Sequence, residues 1–236
     1  MKNILITGSS RGLGLEFTKQ YLEKGERVIA TCRNPEKAKD LQELQIKYPD
    51  LISIIQLDVV DEEGRNRVYS QIEKDFGVLN VLINNAGIIA GNEERSSSFG
   101  EVFKEDFSRV FLVNSISPLL MSERFLPLLE KGENAKIVNI TSLNGSIAKR
   151  NVGGKYSYSA SKAALNMITK ILSNDLKEKG ITALAIHPGW IQTDMGGPNA
   201  PQQKEEPISM IIDLVEKSDI TSSGKFLDWR GLEVPW

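Results

Sequence analysis

The chain has 236 residues, 40% of them apolar and 25% charged, the make-up of an ordinary folded domain rather than a disordered or fibrous chain. That length suits one domain over 1–236, large enough to need no covalent staple, and a lone cysteine, Cys32, excludes an internal disulfide. A net charge of −2 gives neither nucleic acid nor an anionic membrane surface anything to attract.

From the start, Met1-Lys2-Asn3 leads straight into Ile4-Leu5-Ile6, an apolar run too short for a signal peptide or a membrane span. A soluble, cytoplasmic protein is the expectation. The first predicted strand is 3–7, followed by a helix over 12–24; strand 27–32 and helix 35–47 come next, then strand 52–59 and helix 62–76. Strand 81–85 precedes a long helix over 104–130; strand 135–141, helix 159–179 and strand 182–187 follow, with a weaker helix at 207–216 and strand 225–228. Several strands are nearly continuous Ile/Val/Leu runs, as strands covered on both faces are. Strand–helix alternation of this kind predicts an α/β fold: a single Rossmann-type, doubly wound parallel sheet of about seven strands with helices on both faces. The stretch 190–206 has no periodic pattern and follows a strand's carboxyl end, where open α/β sheets bind ligands; it reads as a substrate lid, with a plain surface connection as the alternative.

Strand 3–7 runs into Thr7-Gly8-Ser9-Ser10-Arg11-Gly12-Leu13-Gly14, with a helix directly behind. Glycines there permit positive φ and let a diphosphate approach the backbone, with amides of the helix N-terminus facing it. The spacing is G-x-x-x-G-x-G, and such a turn alone also serves as a tight β–α connection; its position favours a nucleotide held by Gly8, Ser10, Arg11, Gly12, Leu13 and Gly14. An NAD-selective site places an acid near the end of the second strand. Here the segment reads Ala30-Thr31-Cys32-Arg33-Asn34, with no acid before Glu36. Arg33 and Arg11 offer guanidinium forks suited to a 2′-phosphate, which points to NADP(H). The only histidine, His187, disfavours a serine-type triad and a histidine-rich metal site, and no metal-ligand set emerges.

With the glycine turn, these residues resemble the classical short-chain dehydrogenase/reductase family along nearly the whole chain. Leu57-Asp58-Val59 is similar to the segment whose aspartate binds the adenine amino group, which implies Asp58 and Val59 as cofactor contacts. Asn84-Asn85-Ala86-Gly87 resembles the family's N-N-A-G motif, implying that Asn85, Ala86 and Gly87 border the cofactor. Asn114, Ser142, Tyr158 and Lys162 fall where the family carries its catalytic tetrad, Asn114, Tyr158 and Lys162 also contacting the cofactor. Pro188-Gly189, Ile191 and Thr193 resemble the segment that meets the nicotinamide carboxamide. Within the family, Ser161-Lys162-Ala163-Ala164-Leu165-Asn166, His187-Pro188-Gly189-Trp190, Thr193-Asp194-Met195-Gly196-Gly197 and the tail from Gly224 to Trp236 resemble the sniffer/C-factor-like carbonyl reductases.

The resemblance implies reduction of an aldehyde or ketone by hydride transfer, with a small carbonyl or alcohol as substrate and a homodimer or homotetramer packed through the helices at 104–130 and 159–179. A nucleotide-binding regulator of the same fold with little chemistry is the alternative. Tyr158 and Lys162 stand at i and i+4, so on a helix their side chains share a face. An unperturbed phenol has a pKa of about 10, and a neighbouring ammonium and a cationic nicotinamide both favour phenolate, so the expectation is a Tyr158 made acidic enough to serve as general acid in reduction. Ser142, following a strand, would donate to the substrate oxygen, or merely cap a helix. By resemblance, Lys162 holds the ribose hydroxyls and Asn114 a water of the proton relay. Tyr156 lacks a lysine partner and Ser146 is less well spaced; both are weaker candidates, and 151–155 reads as an extra loop beside the pocket.

Overall fold

The alternation of β-branched runs with amphipathic segments resolves, in a computed structural model describing residues 1–89 and 99–236, into one parallel seven-stranded sheet. The strands are β1 (Asn3–Thr7), β2 (Arg27–Cys32), β3 (Ile52–Gln56), β4 (Val81–Asn84), β5 (Lys136–Ile140), β6 (Thr182–His187) and β7 (Phe226–Asp228), ordered β3-β2-β1-β4-β5-β6-β7. The order reverses between β1 and β4, and the carboxyl ends of those strands open a crevice there.

Alternate side chains of each strand point to opposite faces, and both faces are covered. Ile4, Ile6, Val28, Ala30, Val81, Ile83, Val138 and Ile140 meet Phe17, Tyr21 and Leu22 of α1 (Gly12–Glu23), Leu41 of α2 (Lys39–Lys47), and the apolar side of a later helix, Glu205–Lys217. On the other face Leu5, Ile29, Leu82 and Ile137 pack against Val68 and Ile72 of α3 (Glu62–Asp75) and Met121, Phe125 and Leu128 of the helix Ser117–Leu129. Burying a side chain such as Phe17 or Phe125 contributes roughly 1.5–3 kcal/mol. This packing fixes the strand ends that carry the site.

The structure moves several predicted boundaries. Strand 52–59 stops at Gln56, because its partner β2 stops at Cys32, leaving Asp58 and Val59 in the loop beyond. The segment 35–47 is a 3-10 turn (Pro35–Lys37) and then α2, and the helix expected at 159–179 starts at Tyr156 and ends at Asp175. The long helix at 104–130 is three pieces: α4 (Lys104–Phe111), a π-helical turn (Leu112–Ile116) and α5 (Ser117–Leu129). Pro118 has no N–H for the carbonyl of Asn114, one α-turn earlier, and its ring crowds that carbonyl. The helix widens there, with the Ser117 amide and hydroxyl both donating to Leu112 O. The remaining helices are α6 (Tyr156–Asp175) and α7 (Glu205–Lys217). No helix among the described residues is long and apolar enough to cross a membrane.

Candidate active site

A cleft of about 750 Å³ lies over the carboxyl ends of β1, β2, β4, β5 and β6. Its floor is the glycine turn. Gly8 and Gly12 have φ of +71° and +57°, the left-handed region that glycine enters without strain. Gly8 is also in close approach: a Cβ there would meet Ala86 Cα at 3.0 Å. Gly14 works from behind. A Cβ on it would lie 2.3 Å from Gly8 O, and Asn85 Nδ2 donates to the carbonyls of Thr7 (2.8 Å) and Gly8 (3.2 Å). The turn is thus locked by backbone packing and leaves bare backbone toward the cleft, which fits a diphosphate. Gly8, Ser10, Arg11, Gly12 and Leu13 line the cleft; Gly14 does not.

Arg33 and Asp58, both exposed, line the end of the cleft beyond β2, with Val59 beside them. No carboxylate is paired with Arg33 among the described residues, which leaves its fork available to an anion. Arg11 is already engaged, bonded at 2.6 Å to Asp194 across the mouth of the cleft. Asn85, Ala86 and Gly87 form the centre, and Pro188, Gly189, Ile191 and Thr193 the far side.

The polar machinery comes from β5, the following turn and α6. Ser142, buried at the end of β5, accepts the Asn144 amide at 3.1 Å and so caps the short turn Leu143–Gly145; it is also a hydrogen-bond partner of the Tyr158 phenol. The serine thus caps the turn while lining the cleft. Gly145 lets that turn press onto α6, where a Cβ would lie 2.8 Å from Lys162 C. Lys162 is buried, and its Nζ donates to Ile140 O at 2.8 Å, 5.9 Å from the centre of the Tyr158 ring. Ser142, Tyr158 and Lys162 all line the cleft.

Asn114 lies behind this wall, fully buried in the π-helical turn. Its Nδ2 donates to Ile88 O (2.9 Å) and Ser161 Oγ (3.1 Å), and its Oδ1 accepts the Ile88 amide at 2.8 Å. A methyl added at Gly87 would touch both Asn114 Oδ1 (3.4 Å) and Lys162 Nζ (3.7 Å), so this glycine keeps open a space that the two polar groups share.

The electrostatics bear on one expectation. Burial pushes the Tyr158 phenol up, and only the Ser142 hydrogen bond opposes it. Lys162 is itself held down to about 8 by burial. Desolvation is thus the largest influence on the phenol in the chain by itself, whereas the expectation of an acidic Tyr158 also counted a cationic nicotinamide beside it. His187 is held down to about 4 by burial, with Asp228 opposing, and its Nδ1 accepts the Gly189 amide at 3.4 Å.

Sequence reasoning passed over several wall residues. Ser161 links Asn114 to the Tyr158 carbonyl, which its hydroxyl reaches at 2.7 Å. Asn166 ties Thr141 (2.7 Å) to Gly145 O (3.1 Å), fixing the strand end against α6. Both repeat on the Tyr158/Lys162 side of the helix, a polar stripe where a core-facing stripe would be apolar, and that was the available signal. Asp194, Lys149 and Arg150 also line the cleft. Tyr156 pairs with Phe99 at the surface and Ser146 bonds elsewhere; neither lines the cleft.

The comparisons with known proteins agree with this geometry. The family model for short chain dehydrogenase matches residues 2–204. The C-signal of Myxococcus xanthus is 38% identical over 160 residues, 68% of this chain and 94% of that protein. An uncharacterized oxidoreductase of Schizosaccharomyces pombe is 32% identical over 254 residues, covering 100% of this chain and 98% of its own. Among solved structures, the NADPH-bound carbonyl reductase from chicken fatty liver superposes with a TM-score of 0.93 at 36% identity, covering 100% of this chain and 99% of the other. The carbonyl reductase Sniffer of D. melanogaster gives 0.94 at 34% identity, with both chains fully covered.

Proposed function

Because the chain belongs to the short-chain dehydrogenase family, we propose that it is an NADP(H)-dependent reductase of an aldehyde or ketone, with Tyr158 as the proton donor. The observation that carries this reading is a single cleft shared by a bare glycine turn, an Arg33 paired with no carboxylate among the described residues, and the Ser142–Tyr158–Lys162 set. The neighbours solved with NADPH or NADP support the same cofactor.

Gly8, Gly12 and the amides entering α1 hold the diphosphate, and Arg33 takes the 2′-phosphate that a carboxylate would repel. Asp58, Val59 and Asn85–Gly87 flank the adenosine and ribose side; Pro188, Gly189, Ile191 and Thr193 meet the carboxamide. A dinucleotide bound there would supply the hydride. Ser142 donates to the substrate oxygen while Tyr158 delivers its proton there. Lys162, anchored on Ile140 O, faces the ribose and relays a proton to Tyr158, and the space bared at Gly87 adjoins its ammonium and Asn114 Oδ1. Asn114 positions that relay by holding Ile88 and Ser161.

The segment 190–206 acts as the substrate lid, and the whole of 1–236 as one domain. The lid is tied internally, Gln192 N to Gln202 O at 2.8 Å and Trp190 Nε1 to Gly196 O at 2.7 Å, while Trp190 and Met195 face the cleft. Exposed Leu112, Ile116 and Leu119, with Met167 and Ile171 on α6, support pairing of copies through these helices. A cytoplasmic setting suits a cofactor of this kind.

Single-turnover oxidation of NADPH against a panel of aldehydes and ketones tests the reading. A hydride burst with at least one carbonyl is the expected result. Tight NADPH binding without turnover of any carbonyl favours a nucleotide-binding regulator instead.

A further inference from the structure

We propose that the segment 232–236 is a strut that positions the substrate-facing wall of the cleft. The inference rests on the reductase reading only in calling that wall substrate-facing. After β7 the chain reverses at Gly231, whose φ is +84°. It returns antiparallel along its own strand: Asp228 N donates to Leu232 O (2.8 Å), Leu227 bridges Glu233, and Val234 N donates to Phe226 O (2.7 Å). Val234 is buried with Ala185 and Phe226, and the Trp236 ring stacks on Phe226 with centroids 5.4 Å apart. The sheet edge thus grips this segment firmly.

From that grip the strut reaches the loop that follows Ser142. Pro235 O accepts the Ser146 hydroxyl at 2.5 Å, and Trp236 O accepts the Ala148 amide at 2.9 Å. Ser146 Oγ in turn accepts the Lys149 amide at 3.2 Å. Among the described residues the loop has little else to hold it, since Ile147 and Val152 are 78% and 65% exposed and bury no apolar anchor. Its other tie is internal, the Arg150 guanidinium donating to Asn144 Oδ1 (2.8 Å), Gly153 O (2.9 Å) and Gly154 O (2.5 Å). Yet Lys149, Arg150, Asn151, Val152 and Lys155 form one side of the cleft. Where that side stands is therefore set by Phe226 and Trp236, which do not touch the cleft themselves. Trp236 and Ser146 are positioning residues.

The test uses the full-length protein and its Trp236→Ala, Trp236→Phe and Ser146→Ala variants, with amide exchange, NADPH affinity and carbonyl kinetics measured on each. Trp236→Ala should speed exchange at the Ala148 and Lys149 amides and raise the carbonyl KM about tenfold, with kcat and NADPH affinity within about twofold. Trp236→Phe, which keeps a ring on Phe226, should restore both. Should Trp236→Ala fail to fold, Ser146→Ala carries the same expectation, because it removes the hydroxyl's bonds to Pro235 O and the Lys149 amide and leaves the stack intact. Unchanged exchange at Ala148 and Lys149 in these variants overturns the strut. So does a loss of NADPH affinity in step with the carbonyl KM, which marks general loosening. A parent protein that turns over no carbonyl overturns the reductase reading instead, and the exchange arm still decides the strut.

Discussion

The two walls of the cleft are built by different means. The wall of residues 8–14, 33 and 85–87 hangs from the buried strands β1, β2 and β4, and its shape is set by backbone contacts with no room for a methyl group at Gly14. The opposite wall, from 149–155 and 190–196, is largely loop held by a handful of hydrogen bonds. Core packing tolerates little change in volume, whereas loop positions accept new side chains at small cost to the fold. On the proposed reading, a protein so divided keeps the wall assigned to the dinucleotide fixed while the wall assigned to the substrate is free to drift. Ser142 and Tyr158 sit on the seam, anchored to β5 and α6 but facing the mobile-substrate side.

Three substitutions press on that division. The largest effect is expected at the seam: Tyr158→Phe should lower kcat by about 10³-fold, while NADPH affinity measured by fluorescence titration stays within about twofold. Loss of both together would mean that the seam is not separate from the cofactor wall. Next, Arg33→Ala should weaken NADPH by about 2–3 kcal/mol and leave NADH and the carbonyl KM nearly unchanged. An equal loss for NADH and NADPH would remove Arg33 from the 2′-phosphate. The smallest effect probes the sheet beneath both walls. His187 has its folded value depressed to about 4 from 6.5. The unfolded chain therefore takes up a proton that the folded one refuses as pH falls from 6.5 toward 4, and stability drops across that window. Relative to His187→Gln, the parent should lose about 2 kcal/mol more between pH 7 and pH 5 in urea unfolding. A parallel pH dependence for the two proteins would sink this assignment.

The same division governs what the sequence made readable. Strand alternation and the glycine turn are local signals, and six strands, all but β3, lie within a residue or so of the bounds read from periodicity. Partner length is not local: nothing in Ile52–Gln56 says that β2 ends at Cys32 and stops the pairing there. The π-helical turn was announced by Pro118, four residues past Asn114, but an uninterrupted apolar period on either side masked it. Tyr158 and Lys162 meet as their spacing requires, yet the direction of the phenol's shift depends on burial, which spacing does not report. The contact from Trp236 to Ala148 joins segments far apart in the chain through backbone atoms that every residue type possesses, so no residue identity flagged it.

The Arg11–Asp194 pair ties the two walls together across the entrance, with its side chains 73% and 70% exposed. A pair this wet is worth about 0–1 kcal/mol and is screened once ionic strength shortens the Debye length to about 8 Å or less. On the proposed reading, a cofactor phosphate that recruits Arg11 takes the arginine away from Asp194. Electrolyte is then expected to act as a dial on residence time: on the proposed reading, added salt frees the cofactor sooner, and the proton and hydride steps keep their pace.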